Sequence, residues 1–126
     1  MASELRVNTL KDASGNNSIG MSYVAEGSAK SWVNLDGTAS GATARDSFNV
    51  ASTTDNGTGN YHVTFTSAMN NDDYAHNVTG RGSTAVFGAQ NDGKYATTTA
   101  GIYLFNTSGS LTDATYAILS LHGDLA

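Results

Sequence analysis

The sequence predicts an all-β protein: an antiparallel β-sandwich, jelly-roll-like, with an extended N-terminal arm. Three observations carry this expectation. Six short segments, alternating or continuously apolar, recur about every 10–15 residues from Asp46 onward. Clusters of Gly, Asn and Asp, the residues that tolerate reversals, join them. No segment shows a convincing helical stripe of apolar residues. Composition agrees. Ser, Thr, Asn and Gly supply 56 of 126 residues, whereas Leu, Ile, Val and Phe supply 22. So small an apolar share would admit disorder, but charged residues make up only 13% and cannot keep the chain expanded by self-repulsion. Short strands with polar outer faces around a thin core fit better. A thin core is often completed by a neighbouring subunit, so a homo-oligomer is expected.

The first 35 residues read as an arm. Leu5, Val7, Leu10, Ile19, Met21, Val24, Trp32, Val33 and Leu35 are spread among small and polar residues, too few to enclose a core. Leu5 and Val7 alternate, as do Ile19, Met21 and Tyr23, which predicts short extended pieces around the turn-forming run Asp12 to Ser18. A short helix over Ser22 to Lys30 is the alternative for the rest. The arm's attachment or oligomer contacts are assigned to Leu5, Val7, Leu10, Ile19 and Met21.

Residues 36–126 carry the predicted sandwich. Phe48 and Val50 alternate with Asn49 and Ala51, and a loop follows over Thr53 to Asn60. Tyr61, Val63 and Phe65 alternate with His62, Thr64 and Thr66, the clearest half-buried strand in the chain. Beyond the polar corner Asn70 to Asp73, Tyr74, His76 and Val78 alternate. Thr84 to Phe87 is a short apolar run stopped by Gly88, and Asn91-Asp92-Gly93 is a turn. Ile102 to Phe105 is continuously apolar, as in a strand covered on both faces. In the last strand, Thr115 to His122, Ala117, Leu119 and Leu121 share one face.

Several chemistries are excluded or left without support. The chain has no Cys, which removes disulfides, thiolate metal sites and a cysteine nucleophile. The opening residues lack the pattern of a signal peptide, and no apolar run is long enough to span a membrane. The six Lys and Arg are scattered, against a net charge of −5, so no nucleic-acid surface is expected. His62, His76 and His122 form no close ligand pair, and neither Asp72-Asp73 nor Asn91-Asp92-Gly93 has the acid spacing of a calcium loop, so no metal is assigned. No nucleophile-elbow pattern appears, and the only glutamates, Glu4 and Glu26, lie in the arm. Neither catalytic residues nor a cofactor are expected. Six Tyr and one Trp in a weakly charged chain lean instead toward binding. Aromatic faces stack on the C–H faces of sugars while loop Asn and Asp supply directed hydrogen bonds. Asn91, Asp92 and Tyr95 are the leading ligand-binding set, with Tyr61 and Tyr74 also flanking loops.

One resemblance adds to this reading. The run Glu26-Gly27-Ser28-Ala29-Lys30-Ser31-Trp32-Val33-Asn34-Leu35-Asp36-Gly37-Thr38 resembles a stretch in fibre and virion structural proteins of marine tailed phages, such as those of cyanophages and pelagiphages. The similarity continues through Arg45 to Val50, Thr54 to Tyr61 and Val63 to Met69, and returns at Leu121 to Ala126. The opening Leu5-Arg6-Val7-Asn8-Thr9-Leu10 also looks like the start of such proteins. The resemblance implies a β-rich terminal domain, usually trimeric, displayed on the virion, with no enzyme activity, no cofactor and no transferable binding residues. The expected function is that of a short tail-fibre or receptor-binding protein. Its arm would attach to the tail or baseplate and its sandwich would face the host surface and its glycans. The second expectation is a capsid decoration or head-fibre protein.

Overall fold

The computed structural model describes residues 3–126, the Asp92 side chain excepted. Its elements are β1 (Thr9–Lys11), β2 (Ser18–Gly20), α1 (Met21–Gly27), β3 (Ser31–Asp36), β4 (Thr43–Phe48), β5 (Val50–Asp55), β6 (Asn60–Phe65), β7 (Ala75–Arg81) and β8 (Val86–Gln90), followed by a 3₁₀ turn at Asp92–Lys94, β9 (Thr99–Asn106) and β10 (Tyr116–His122). Two four-stranded sheets, β4-β3-β10-β7 and β5-β6-β9-β8, pack face to face, and every strand pair is antiparallel. The sandwich expected from strand spacing is present. β3/β4, β5/β6 and β8/β9 are each neighbours within one sheet, so the chain does not alternate between sheets as a jelly roll largely does.

The core follows from period-two alternation. Val33 and Leu35 of β3, and Ala117, Leu119 and Leu121 of β10, are fully buried from one side. Tyr61, Val63 and Phe65 of β6, with Ala100, Ile102 and Leu104 of β9, close the core from the other. β3 is therefore an inner strand hydrogen-bonded to both β4 and β10, and the sandwich begins at Ser31. The boundary expected at Leu35 falls inside it. Averaging apolar content over the first 35 residues diluted a strand that alternates cleanly once read from Ser31.

Residues 3–30 carry a small hairpin and a short helix, and the expected extended arm is not confirmed. β1 and β2 make a small hairpin, closed by the Asp12 carboxylate, which accepts from Asn17 Nδ2 at 2.7 Å and Asn16 N at 3.0 Å. These bonds, the one from Asn17 foremost, hold the Asp12 carboxyl below its ordinary pKa. The seven-residue α1 follows directly, so Met21 opens a helix instead of extending a strand, and Leu5 and Val7 precede β1 without regular structure. The helix buries none of its residues. Leu10 and Ile19 lie opposite one another across the hairpin and both are exposed, as are Tyr23 (75%) and Leu5 (80%).

Three backbone features set the sandwich's corners. Asn49 adopts φ 56°, turning the chain from β4 in one sheet to β5 in the other. Its Nδ2 donates to the carbonyls of Lys30 and Ser67, both at 3.0 Å, and its Oδ1 accepts from Ser67 N at 2.7 Å. The single strand expected around Phe48 and Val50 is thus two strands. Arg45 is the extra residue of a bulge between β3 and β4, where the register slips at Asn34/Leu35. Gly88 is not a strand stop. β8 runs through it to Gln90, and a Cβ there would fall onto the Val78 carbonyl of β7. Glycine lets the two sheets approach closely along that edge.

Candidate functional site

The turn expected to present a ligand set is built differently. Asn91 is buried, with 3% of its surface exposed. Its Nδ2 donates to Asn60 Oδ1 at 2.8 Å, its Oδ1 accepts from Gly93 N at 3.1 Å, and its carbonyl accepts from Lys94 N at 3.0 Å. Asn91 pins the turn instead of projecting from it. Asp92 opens the 3₁₀ turn by its backbone, and its side chain lies outside the described residues. Tyr95 is half-buried against the core. Its hydroxyl donates to the Tyr74 carbonyl at 2.6 Å and its ring lies 4.5 Å from that of Tyr74 and 5.8 Å from that of His76. Burial is the main cause of its raised pKa. Asn91 and Tyr95 do not form the open pairing of a stacking face with free polar groups that sugar recognition needs. Their polar groups are committed to these contacts within the fold.

The other loop-flanking tyrosines are engaged likewise. The Tyr74 hydroxyl reaches the carbonyls of Ala96 and Thr99 at 3.0 and 2.9 Å. Tyr61 donates to Asp113 Oδ1 at 2.6 Å and lies 2.9 Å from the Gly37 carbonyl. Burial is the largest influence raising the pKa of both phenols. The histidines stay apart. His62 meets Asn56 Nδ2 through Nδ1 at 2.9 Å, and His76 points between the sheets. Among the described residues no group of three or more His, Asp or Glu is placed to hold a metal ion, and no helix is long and apolar enough to cross a membrane.

What the fold does leave exposed is aromatic surface on the outer faces of the sheets. On the second sheet Phe87 (59% exposed) of β8 lies opposite Phe105 of β9, and Tyr103 follows at 5.9 Å between ring centroids. Tyr103 is paired in register with Asn60 of β6, so a ladder of three rings ends beside amide and imidazole groups on β6. On the first sheet Phe48 (52% exposed) lies opposite Trp32, which in turn faces Ser120 of β10. Flat apolar rings flanked by short polar side chains suit stacking on sugars or packing against protein.

The ring ladder escapes sequence reasoning because the continuously apolar run Ile102 to Phe105 predicts a strand covered on both faces. Ile102 and Leu104 are buried, while Tyr103 and Phe105 are half-covered. The aromatic residues at alternate positions of that run were the available signal. The exposure of Phe87 had none, since its neighbour Phe105 comes from a register set at long range. No protein-family model, no curated protein and no solved structure matches this chain.

Proposed function

We propose that the protein is a structural component of a tailed-phage virion, a short tail-fibre or receptor-binding protein. Its N-terminal unit fixes it to other virion proteins, and its sandwich contacts the host surface and its glycans. One observation carries the reading. A sandwich with a closed core is preceded by a small hairpin-helix unit whose apolar residues, Leu5, Leu10, Ile19 and Tyr23, are exposed and enclose nothing. Such a unit suits docking on a partner, while a rigid sandwich displays a surface. The sequence resemblance to phage fibre proteins points the same way. Ring patches without a deep cleft fit weak, repeated contacts, which a trimer and several fibres per particle would multiply into useful avidity.

Immunoelectron microscopy of purified virions tests this, paired with competition of adsorption by the purified protein. Label at the tail, in tens of copies, with reduced adsorption in the presence of free protein is the expected outcome. Label spread over the head in hundreds of copies, without competition, selects capsid decoration. Virions that carry no label overturn both assignments.

A further inference from the structure

The chain holds three arginines against a net charge of −5, and two of them meet at one aromatic ring. The Arg45 guanidinium lies 4.5 Å from the Tyr116 ring centroid and that of Arg81 lies 5.7 Å away. The topology makes this meeting. Tyr116 is paired with Arg81 where β10 begins and β7 ends, and the β3–β4 bulge releases Arg45 to reach across β3.

The two arginines differ in what remains for a ligand. Arg45 is held within the fold: it donates to the carbonyls of Leu35 and Thr115 and pairs with Asp36 Oδ2 at 2.6 Å. It fixes the Tyr116 ring. The Arg81 guanidinium makes neither a hydrogen bond nor an ion pair among the described residues, and it borders an open recess of about 310 Å³. Gly82, Ser83, Thr115 and Tyr116 complete the lining. The Ser83 and Thr115 hydroxyls likewise make no hydrogen bond among the described residues. The volume is at the small end of ligand sites, suited to a single ring. A free guanidinium fork, a fixed aromatic edge and two free hydroxyls in that space match a sugar bearing an oxyanion. The fork binds carboxylate or sulfate, the tyrosine offers the pyranose an apolar edge, and the hydroxyls meet ring hydroxyls.

We propose that Arg81, Ser83, Thr115 and Tyr116 form a subsite for an acidic sugar, its oxyanion a uronate carboxylate or a sulfate ester. The proposal deepens the host-glycan reading and rests on it for its biological setting. The protein's overall negative charge opposes anions at long range, so affinity at one copy is weak and falls with salt. Repetition over copies makes the attachment.

The test is a heteronuclear NMR titration of the purified protein at constant ionic strength. The probes are glucuronate, glucose 6-sulfate, neutral glucose and inorganic sulfate. The expected result is saturable shifts at Gly82, Ser83, Tyr116 and the Arg81 Nε–H at millimolar concentration, with neutral glucose weaker by about tenfold or more. The stronger of the two acid sugars identifies the oxyanion. Arg81→Gln abolishes the preference for acid over neutral sugar, and Arg81→Lys keeps part of it. Both lie on an exposed edge position, and an unchanged thermal midpoint verifies the fold. Equal binding of acid and neutral sugars, shifts elsewhere, or inorganic sulfate binding as well as the acid sugars overturns the subsite. These outcomes separate from the virion reading. Loss of sugar binding leaves virion labelling untouched, whereas unlabelled virions with intact sugar binding remove the phage setting and leave the subsite.

Discussion

Tyr61 ties together three loops that the sandwich must bring to one place. Its phenol sits 2.6 Å from Asp113 Oδ1 and 2.9 Å from the Gly37 carbonyl, and the same Asp113 oxygen accepts from Gly59 N at 2.8 Å. The ring is fully buried. Tyr61→Phe leaves the Asp113 carboxylate short of a donor in a partly buried corner, and a loss of about 1–3 kcal/mol is expected in urea unfolding. His76 illustrates a different cost. It faces inward from β7, its Nε2 is buried without a hydrogen-bond partner among the described residues, and its ring contacts Tyr95. Burial holds its pKa below the ordinary value of 6.5, and the Gly101 carbonyl, which favours the protonated ring, is the smaller influence. The unfolded chain takes up the proton first, so the stability His76 permits is complete above about pH 6.5 and is lost as pH falls from there toward the depressed folded value. His62, lowered by burial and then by Lys94, acts in the same direction. The lowered carboxyls of Asp12 and Asp36 enter only at more acid pH, below their ordinary 3.8. Thermal melts between pH 7 and 5 are expected to show falling stability, with a shallower slope in His76→Leu. An unchanged slope in that variant assigns the effect to His62.

At the scale of elements, glycine and asparagine decide where sheets meet. Gly88 lets β8 approach β7, and an added Cβ would meet backbone, which cannot swing aside as a side chain can. Gly88→Ala is expected to cost about 1–3 kcal/mol through displacement of the β7–β8 edge, read as a lowered urea midpoint at unchanged slope. The sequence made the inner strands legible where alternation is clean, as in Tyr61-Val63-Phe65 and Ala117-Leu119-Leu121, because a half-buried strand has no other pattern available. β3 alternates equally well but was lost among polar residues upstream. The β4–β5 corner was illegible for a physical reason. Phe48 and Val50 keep strand alternation through Asn49, and nothing local says that Asn49 takes a positive φ and sends them into different sheets. The candidate site suffered most. Asn91 has the chemistry of an exposed turn and serves as a buried pin. The Arg45–Tyr116–Arg81 cluster depends on a bulge and on pairing of residues 35 positions apart, and neither leaves a mark in local sequence.

For the whole molecule the decisive question is where the self-sufficient part begins and what the remainder does. Val33 and Leu35 are fully buried, and losing them removes about 3–6 kcal/mol of burial from a domain whose total stability is of the order of 5–15 kcal/mol. A chain starting at Lys30 is therefore expected to unfold cooperatively, whereas one starting at Asp36 is expected to lack a cooperative transition in calorimetry. Among the described residues, none before Lys30 belongs to the buried core. Its exposed Leu5, Leu10, Ile19 and Tyr23 gain free energy by leaving water, and seven helical residues are too few to be stable without packing. Packing against other copies would supply both. The full chain is accordingly expected to sediment as an oligomer, a trimer by the family resemblance, and the chain starting at Lys30 as a folded monomer, with both measured by analytical ultracentrifugation at micromolar concentration. A monomeric full chain removes self-association and leaves the N-terminal unit to a partner of a different kind. An oligomer that persists without residues 3–29 moves the interface onto the sandwich. Phe87 and Phe105 on one sheet, or Trp32 and Phe48 on the other, are the rings exposed enough to form it. Replacing Phe87 with Ser in the shortened chain then distinguishes the two faces.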